Sequence, residues 1–571
     1  MNNSFDNKSV ESAIALVALH AGFSHSSLAL QSIAAYAAAT PFGGNIHILE
    51  SLVNRNPQHL LEQLVALNPA VIGFSTYLWN IDAFLHLADL LDQLLEKTLI
   101  VLGGPEAGPR AEELLKAYPA IDFVIDGEGE AAFCELLYWQ LAGEGQLMLI
   151  SGLVYRQGAE ILRNPIRTMP VETVPSPISR GYTDFSKPLI YWETSRGCPF
   201  RCSFCSSADE RLRAFPLERV EAELAVLAGL QNKVIKLLDR SFHLGKARTL
   251  RLLEDFAVTP EGLRFHLELN PDRISAEAMA IFRHAMPGKF QFEIGLQTLS
   301  EAVLNNIDRH MEIARALDNI RELVGMARHP VHLDLIVGLP GEDAAHCRDS
   351  LNRVFILEAE HLQLGTLKLL PGTPLHQQAE QLGYRWDPKP PYEVLSHPLL
   401  SFEEIARFKL YAELLERLWN SGHLVSTLSR LVAVHFGGRV TDCFDRLLMQ
   451  VGEGVARDNL QPDRLYDRVC GFLLPLLQQD QALAQLLAWD YSQFSLVTRK
   501  TPPWIADRLK QSAAMLVAGS RRRLPVLELS TQALAVINRR RLQPLLPGSY
   551  AVWPRQHKKG IPVEVIPIKQ A

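Results

Sequence analysis

The chain has 571 residues, 47% of them hydrophobic and 21% charged, and its 57 Lys and Arg against 63 Asp and Glu give a net charge of −6. This composition excludes a disordered or fibrous protein, and at roughly 150 residues per domain the length predicts about three or four domains. The charge balance offers no polybasic argument for nucleic acid or an anionic membrane, seven cysteines are too sparse for a secreted disulfide scaffold, and no apolar run reaches the ~18 residues of a membrane-spanning helix.

The first apolar stretch, Ala13–Leu19, follows no basic segment and reads as a buried strand rather than a signal peptide. A reducing cytoplasm is the expected compartment, where clustered cysteines point to metal ligation rather than disulfides. Strands are predicted at Ile14–Leu19, Asn45–Glu50, Ala70–Thr76, Thr98–Gly104 and Ile121–Glu130, the last including its turn. Helices are predicted between them at Ser27–Ala39, His59–Leu67, Asp82–Leu95 and Ala111–Tyr118. Such alternation implies parallel pairing with crossovers, hence an α/β, doubly wound, Rossmann-like domain over residues 10–150. Ligands of such sheets bind outside the carboxyl ends of the strands.

A Pro-rich connection follows, with Pro165, Pro170, Pro175 and Pro177, and is expected to be a linker over 151–188. A second β/α series spans 189–385. Its strand candidates are Leu189–Ser195, Lys233–Asp239, Arg264–Asn270, Phe290–Thr298, Val331–Pro340 and His361–Pro371. Six strands with intervening helices suggest an open or partial barrel. The remainder, 386–571, is expected to be mainly helical from Ser401 onward, with an amphipathic helix at Phe408–Gly422 ended by its glycine. Strands are expected to return at Leu524–Thr531, Ser549–Pro554 and Pro562–Ile568. The tracts Arg521–Arg523 and Arg539–Arg541 read as solvated surface.

The sharpest signal is Ser195-Arg196-Gly197-Cys198-Pro199-Phe200-Arg201-Cys202-Ser203-Phe204-Cys205. Three cysteines in the pattern Cys-x3-Cys-x2-Cys lie directly after a strand, in a loop with Gly197 and Pro199. Soft thiolates suit iron–sulfur or zinc. A structural zinc site calls for a fourth ligand, usually in a second Cys or His pair, and none follows nearby. Three ligands on a four-iron cube leave one iron open. Cys134, Cys347, Cys443 and Cys470 are isolated and read as buried, unreactive thiols.

Cys-x3-Cys-x-aromatic-Cys after the first strand resembles the radical S-adenosylmethionine superfamily. The resemblance covers about Leu189 to Pro374 and implies a (β/α)6 partial TIM barrel. It implies that Cys198, Cys202 and Cys205 hold a [4Fe–4S] cluster whose open iron chelates S-adenosylmethionine and whose electron cleaves it to methionine and a 5′-deoxyadenosyl radical. Where the family often has Gly-Gly-Glu after the second strand, this chain has Leu238-Asp239-Arg240-Ser241-Phe242, which makes Asp239 the candidate. Glu268 in HLELN resembles the acidic residue at the ribose or amine of S-adenosylmethionine. Glu293-Ile-Gly-Leu-Gln297-Thr followed by Arg309 resembles the coproporphyrinogen-oxidase-like and cobalamin-binding branches, with Gln297 near the cofactor and Arg309 on its carboxylate. Asp334, ahead of Gly338-Leu-Pro340-Gly341-Glu342, is a further ribose or cofactor candidate, and Pro371 in Pro371-Gly372-Thr373-Pro374 matches a turn beside adenine.

A doubly wound domain ahead of such a barrel resembles the cobalamin-binding members. The matching residues are Ser75 and Thr76 after strand three, Gly103-Gly104-Pro105-Glu106 after strand four, and Gly127-Glu128-Gly129-Glu130 after strand five. The resemblance places these loops against the corrinoid, with glycines admitting close approach and hydroxyls bonding its nucleotide tail. The Asp-x-His-x-x-Gly motif that supplies a lower axial histidine elsewhere is absent. The first loop carries His20 and His25 instead, which read as hydrogen-bonding loop residues. Nor does this loop hold the G-x-G-x-x-G of a nucleotide site.

The tail from Pro391-Tyr392-Glu393 onward resembles the domain of unknown function 4080, expected to cap the barrel, with His423 and nearby aromatics mostly packing a core. The resemblance implies a cytoplasmic radical enzyme with cobalamin as second cofactor, acting on a small-molecule substrate with electrons from a flavodoxin or ferredoxin type of donor, and with no nucleic acid or membrane span. Methylation of an unactivated carbon is the expected reaction. Oxidative cyclisation or rearrangement, and a non-catalytic corrinoid-binding sensor or scaffold, are the alternatives.

Overall fold

A computed structural model of the chain describes residues 12–208, 210–242, 245–494, 501–508, 512–517, 520–541, 544–546, 548–553 and 564–567. The chain divides into two compact units, one running through Glu268 and including Lys368–Val394, the other comprising Leu269–Leu367 and the residues from Leu395.

The first unit opens with β1 (Ile14–His20), α1 (Leu28–Ala37), β2 (Ile46–Leu52), α2 (Pro57–Leu67), β3 (Val71–Ser75), α3 (Ile81–Leu94), β4 (Leu99–Gly103), α4 (Ala111–Ala117), β5 (Phe123–Ile125) and α5 (Gly129–Leu137). These strands pair in parallel in the order β2-β1-β3-β4-β5. Every residue of β1 is buried, as a strand covered on both faces requires. Leu60, Leu64, Phe84, Leu91 and Leu114 pack one face of the sheet. Leu30, Ala34, Phe133 and Leu136 pack the other. Each such large side chain contributes roughly 1.5–3 kcal/mol by leaving water. The helix starts are locally encoded: Ser27 caps α1, and Asn56 with Pro57 opens α2.

The sheet continues beyond residue 150. β6 (Leu153–Gln157) adds antiparallel to β5 and β7 (Glu160–Arg163) antiparallel to β6, so the first part of the expected linker belongs to the sheet. The cause is a tight hairpin, Gln157 facing Glu160, with Gly158 at φ 62.

Next come β8 (Leu189–Trp192), β9 (Ser195–Arg196), β10 (Arg213–Ala214), α6 (Leu217–Leu227), β11 (Lys233–Leu237), α7 (Lys246–Ala257) and β12 (Leu263–Glu268). β11 pairs in parallel with both β8 and β12, while β9 and β10 form a short antiparallel ribbon.

The second unit holds α8 (Ala276–His284), β13 (Phe290–Gln297), α9 (Glu301–Asn306), α10 (Ile313–Gly325), β14 (Val331–Val337), α11 (Ala344–Phe355) and β15 (His361–Thr366). β14 pairs in parallel with β13 and β15. Phe290, Phe292, Ile294 and Leu296 are buried on one face of β13, while Gln291, Glu293 and Gln297 are half-buried on the other. This period of two gives the strands one apolar and one polar face. All six strands expected for the barrel are present, three in each unit. The segment returning to the first unit carries α12 (Pro374–Gln378).

The tail is mainly helical: α13 (Phe402–Leu414), α14 (Val425–His435), α15 (Val440–Val451), α16 (Gly454–Arg457), α17 (Pro462–Leu477) and α18 (Gln481–Ser492). A capping box of Ser401 and Glu404 starts α13. That helix begins earlier than the expected Phe408 and continues as a wider turn through Asn420 before Gly422. Antiparallel strands Ser512–Val517, Ser520–Leu529, Gly548–Trp553 and Glu564–Pro567 follow. Pro554, Pro562, Val563 and Ile568 of the expected strands lie outside the described residues. Arg521–Arg523 fall on the second strand, their side chains likewise outside.

Arg540 departs from the solvated reading. It donates to the carbonyls of Glu358 and Ala359 and stacks over Trp419 at 4.5 Å. Cys134, Cys347, Cys443 and Cys470 are all buried, as expected. Among the described residues, no helix is long and apolar enough to cross a membrane.

Candidate active site

The cysteine loop grows out of the β9–β10 ribbon. Gly197 has φ 88, and a Cβ there would lie 2.4 Å from the Arg211 carbonyl oxygen, so only glycine fits. The Cys198 amide donates to Glu210 (3.1 Å) and the Cys205 amide to the Cys202 carbonyl (3.0 Å). The Ser207 amide donates to the Cys205 sulfur at 3.4 Å. From α12, the Leu375 amide holds the Ser203 carbonyl at 2.9 Å. Cys198 and Cys202 are buried and Cys205 half-buried. Burial pushes the Cys205 thiol up, against the opposing Ser207 amide and Arg240 charge.

Among the described residues, no three His, Cys, Asp or Glu side chains are grouped closely enough to hold a metal ion. The three thiols are a donor set carried by one pinned loop. Three soft donors on so short a loop fit an iron–sulfur cluster.

Asp239 lies just beyond the end of β11. It is buried, and its carboxylate accepts from the Thr194 amide (2.8 Å) and from the hydroxyls of Thr194 (2.7 Å) and Ser195. Burial pushes its pKa up despite these donors. It braces the strand entering the cysteine loop. Glu268 closes β12 half-buried, and its carbonyl accepts from the Phe242 amide. Pro371 is half-buried, ahead of Gly372 at φ 84.

In the second unit, Arg309 donates to the Gly295 carbonyl (2.5 Å) and to Asn270 (3.3 Å). Gln297 sits beside it at φ 67, where the β13–β14 register shifts. Asp334 pairs in register with Gly295. The strands thus bring Gln297, Arg309 and Asp334 together. Arg309 also borders a cavity of about 380 Å³ lined by Asp272, Arg273, Glu301 and His310.

The three amino-terminal loops all lie at carboxyl ends of strands. Ser75 and Thr76 are buried. The Thr76 hydroxyl donates to the Gly103 carbonyl (2.9 Å) and accepts from the Ala107 amide (3.1 Å). It therefore shapes the loop after β4. Gly104, at φ +114, rests on the Thr76 backbone. Gly103 is half-buried and Gly127 exposed. Glu128 accepts from Arg213 (2.8 Å), Arg196 (3.3 Å) and the Met169 amide (2.9 Å). These donors outweigh burial and hold its pKa down. His20 lies 3.2 Å from Glu50, and His25 Nδ1 lies 2.5 Å from the Tyr191 hydroxyl.

Three groups escaped sequence reasoning. Asn80 ties the Leu19 and Ser75 carbonyls (3.1 Å each) and caps Tyr77. Arg110 binds Glu106 and Tyr392. Arg196 binds Glu193 and Glu130. Only Arg196, two positions before Cys198, stood next to a motif.

The chain matches three family models: a B12 binding domain over residues 14–137, the radical SAM superfamily over 192–354, and a protein of unknown function, DUF4080, over 380–528. Over 374 residues it is 29% identical to the cobalamin-dependent radical SAM methyltransferase TokK of Streptomyces tokunonensis, covering 60% of this chain and 54% of that protein. It is also 29% identical to the 2-(S-pantetheinyl)-carbapenam-3-carboxylate methyltransferase of Streptantibioticus cattleyicolor, covering 56% and 49%. The chain thus spans about half the length of these curated relatives. The structure of the cobalamin-dependent S-adenosylmethionine radical enzyme OxsB with aqua-cobalamin and S-adenosylmethionine bound shares the fold, with TM-score 0.57 and 15% identity over 84% of this chain and 78% of that one. A B12-binding domain, a radical SAM domain with a parallel sheet and a DUF4080 domain therefore follow one another along the chain.

Proposed function

We propose that this chain, which joins a B12-binding domain to a radical SAM domain, is a cobalamin-dependent radical S-adenosylmethionine methyltransferase acting on an unactivated carbon of a small molecule. The observation that carries the reading is one pinned loop presenting three soft thiols, in a chain that also matches a B12 binding domain. We assign Cys198, Cys202 and Cys205 to a [4Fe–4S] cluster, and Glu268, Gln297, Arg309, Asp334 and Pro371 to S-adenosylmethionine. The loops at Ser75, Gly103, Gly104 and Gly127 are assigned to cobalamin. When bound, these groups supply the electron that cleaves the sulfonium and the methyl group to be transferred.

The protein's own part is positioning. Gly197 and the Leu375 amide fix the thiol loop. Asp239 braces the strand that feeds it. Arg309, anchored on Gly295 and Asn270, offers a planar cation to a carboxylate. Electrons come from a flavodoxin or ferredoxin type of donor in a reducing cytoplasm.

The test is anaerobic purification with iron, sulfide and hydroxocobalamin, followed by assay with dithionite. The reading expects cluster and corrinoid absorption, and 5′-deoxyadenosine together with S-adenosylhomocysteine. Deoxyadenosine without S-adenosylhomocysteine points instead to cyclisation or rearrangement. Iron-loaded protein that leaves S-adenosylmethionine intact overturns the enzymatic reading.

A further inference from the structure

We infer that Glu128 and Glu130 are positioning residues for the cysteine loop, not corrinoid ligands: with Arg196 and Arg213 they clamp the stem of that loop to the amino-terminal sheet. The inference rests on the proposed identity of the two cofactors and deepens it.

The ribbon that starts the loop is only two residues long on each side, and it sets Arg196 directly opposite Arg213. Like charges facing each other across such a ribbon oppose its closure. Carboxylates from the loop after β5 relieve this. Glu128 bridges the two arginines, at 2.8 Å from Arg213 and 3.3 Å from Arg196. Glu130, only 6% exposed, accepts from Arg196 at 2.6 Å. Glu193 completes the set at 2.7 Å from Arg196. Arg213 also donates to the Met169 carbonyl (2.6 Å), while the Met169 amide donates to Glu128.

Arg196 lies against the Phe215 ring from one side, at 5.6 Å, and Arg219 lies over the same ring at 3.9 Å. The ring contact adds a cation–π restraint to the ion pairs. Two cations and three carboxylates, none more than 20% exposed, make a cluster in which each charge has a partner. The set holds one carboxylate more than cations, so removing either arginine leaves buried carboxylates uncompensated. Arg196 is separated from Cys198 by Gly197 alone, so the clamp sets where the first thiol stands relative to the sheet that carries the corrinoid loops. The carboxylates of Glu128 and Glu130 are already engaged by these cations and are not needed by a corrinoid.

The experiment uses full-length protein reconstituted anaerobically with iron, sulfide and hydroxocobalamin, as wild type and as Glu128→Gln, Glu130→Gln, Glu130→Asp and Arg196→Lys. Two quantities are read: the Kd for hydroxocobalamin by optical titration, and the cluster midpoint potential by EPR-monitored titration. Loss of a buried negative charge favours the more negative, reduced cluster, so the Gln variants shift the potential positive, while the cobalamin Kd stays within about threefold of wild type. Glu130→Asp, which keeps the charge, restores most of the potential. If a Gln variant does not fold, Arg196→Lys carries the test: it keeps the cation but loses the fork, and perturbs the cluster EPR signal at unchanged cobalamin Kd. A tenfold or greater loss of cobalamin affinity, or an unchanged potential and EPR signal, overturns the clamp. Wild-type protein that takes up neither cofactor overturns the underlying reading itself.

Discussion

The hydroxyl of Tyr392 donates to the carboxylate of Glu106, 286 positions earlier in the chain. Both groups are buried, and Arg110 binds them both, at 2.7 Å to Glu106 and 2.8 Å to Tyr392. Glu106 sits in the Gly103-Gly104-Pro105-Glu106 loop, and Gly372, beside Pro371, rests on Pro109. The contact therefore links the loop assigned to cobalamin with the segment assigned to adenine. Tyr392 holds φ 60, a costly conformation for so bulky a residue. Tyr392→Phe is expected to lower stability by about 1–3 kcal/mol, because it strips a donor from a buried carboxylate. Urea unfolding checks this; an unchanged midpoint shows that Arg110 alone satisfies Glu106.

Substitution of the cysteines separates ligands from core. Cys198→Ala, Cys202→Ala and Cys205→Ala are each expected to abolish the cluster's visible absorption and S-adenosylmethionine cleavage. Cys134→Ala and Cys443→Ala remove thiols buried in packed helices, and are expected to keep iron content while costing roughly 1–2 kcal/mol. Retention of iron by Cys202→Ala would show the ligand assignment to be wrong.

Two buried acids make stability depend on pH. Burial raises Glu342 from 4.5 to about 7, against hydrogen bonds from Cys347 and Thr298. Burial raises Asp490 from 3.8 to about 7, against donors on Ser426 and Thr427. A carboxyl whose pKa is higher in the folded state binds more protons folded than unfolded between the two values. Its contribution is therefore full below about pH 4 and is lost as pH rises towards about 7. Unfolding free energy is expected to fall by a few kcal/mol between about pH 5 and 8, and Asp490→Asn to flatten part of that decline. A wild-type protein equally stable at both pH values contradicts this.

The parallel strands were legible because each is a short apolar run between helical patterns, and the cysteine loop because its spacing is local. The β6–β7 hairpin was hidden by the prolines that follow it, although Gln157-Gly158-Ala159-Glu160 between two apolar runs is a turn signal. Asp239 and Thr76 stand where ligand residues were expected, yet their oxygens are taken by neighbours. Sequence position gives which strand end a residue occupies, not which way its lone pairs are used. The Tyr392–Glu106 and Arg196–Glu130 contacts join segments far apart in the chain, and neither has a sequence pattern to betray it.

Gln297 holds φ 67 at the point where β13 and β14 slip register, with its amide close to Gly295. A non-glycine residue there costs about 1–2 kcal/mol of backbone strain. Gln297→Gly relieves the strain but loses the side chain. Its stability is expected to match or exceed that of wild type, while its affinity for S-adenosylmethionine falls about tenfold or more. Stability and affinity falling together would mean that the side chain serves packing alone.

Gly104 gives the sharpest test of the corrinoid loops. Its φ of +114 is a conformation that side chains avoid, and a Cβ there would stand 2.4 Å from the Thr76 carbonyl oxygen and 3.0 Å from its nitrogen. Both are backbone atoms, fixed in turn by the Thr76 amide on the Gly103 carbonyl at 2.7 Å and by the Thr76 hydroxyl. No flexible side chain can swing aside, so Gly104→Ala must push the ends of β3 and β4 apart. A loss of about 2–4 kcal/mol of stability is expected from strain and broken hydrogen bonds. Because the strained loop is the one assigned to the corrinoid, hydroxocobalamin binding should weaken at least tenfold in protein still folded at low temperature, while the iron content set by the cysteine loop stays at wild-type level. Unchanged cobalamin binding in folded Gly104→Ala would move the corrinoid away from this loop.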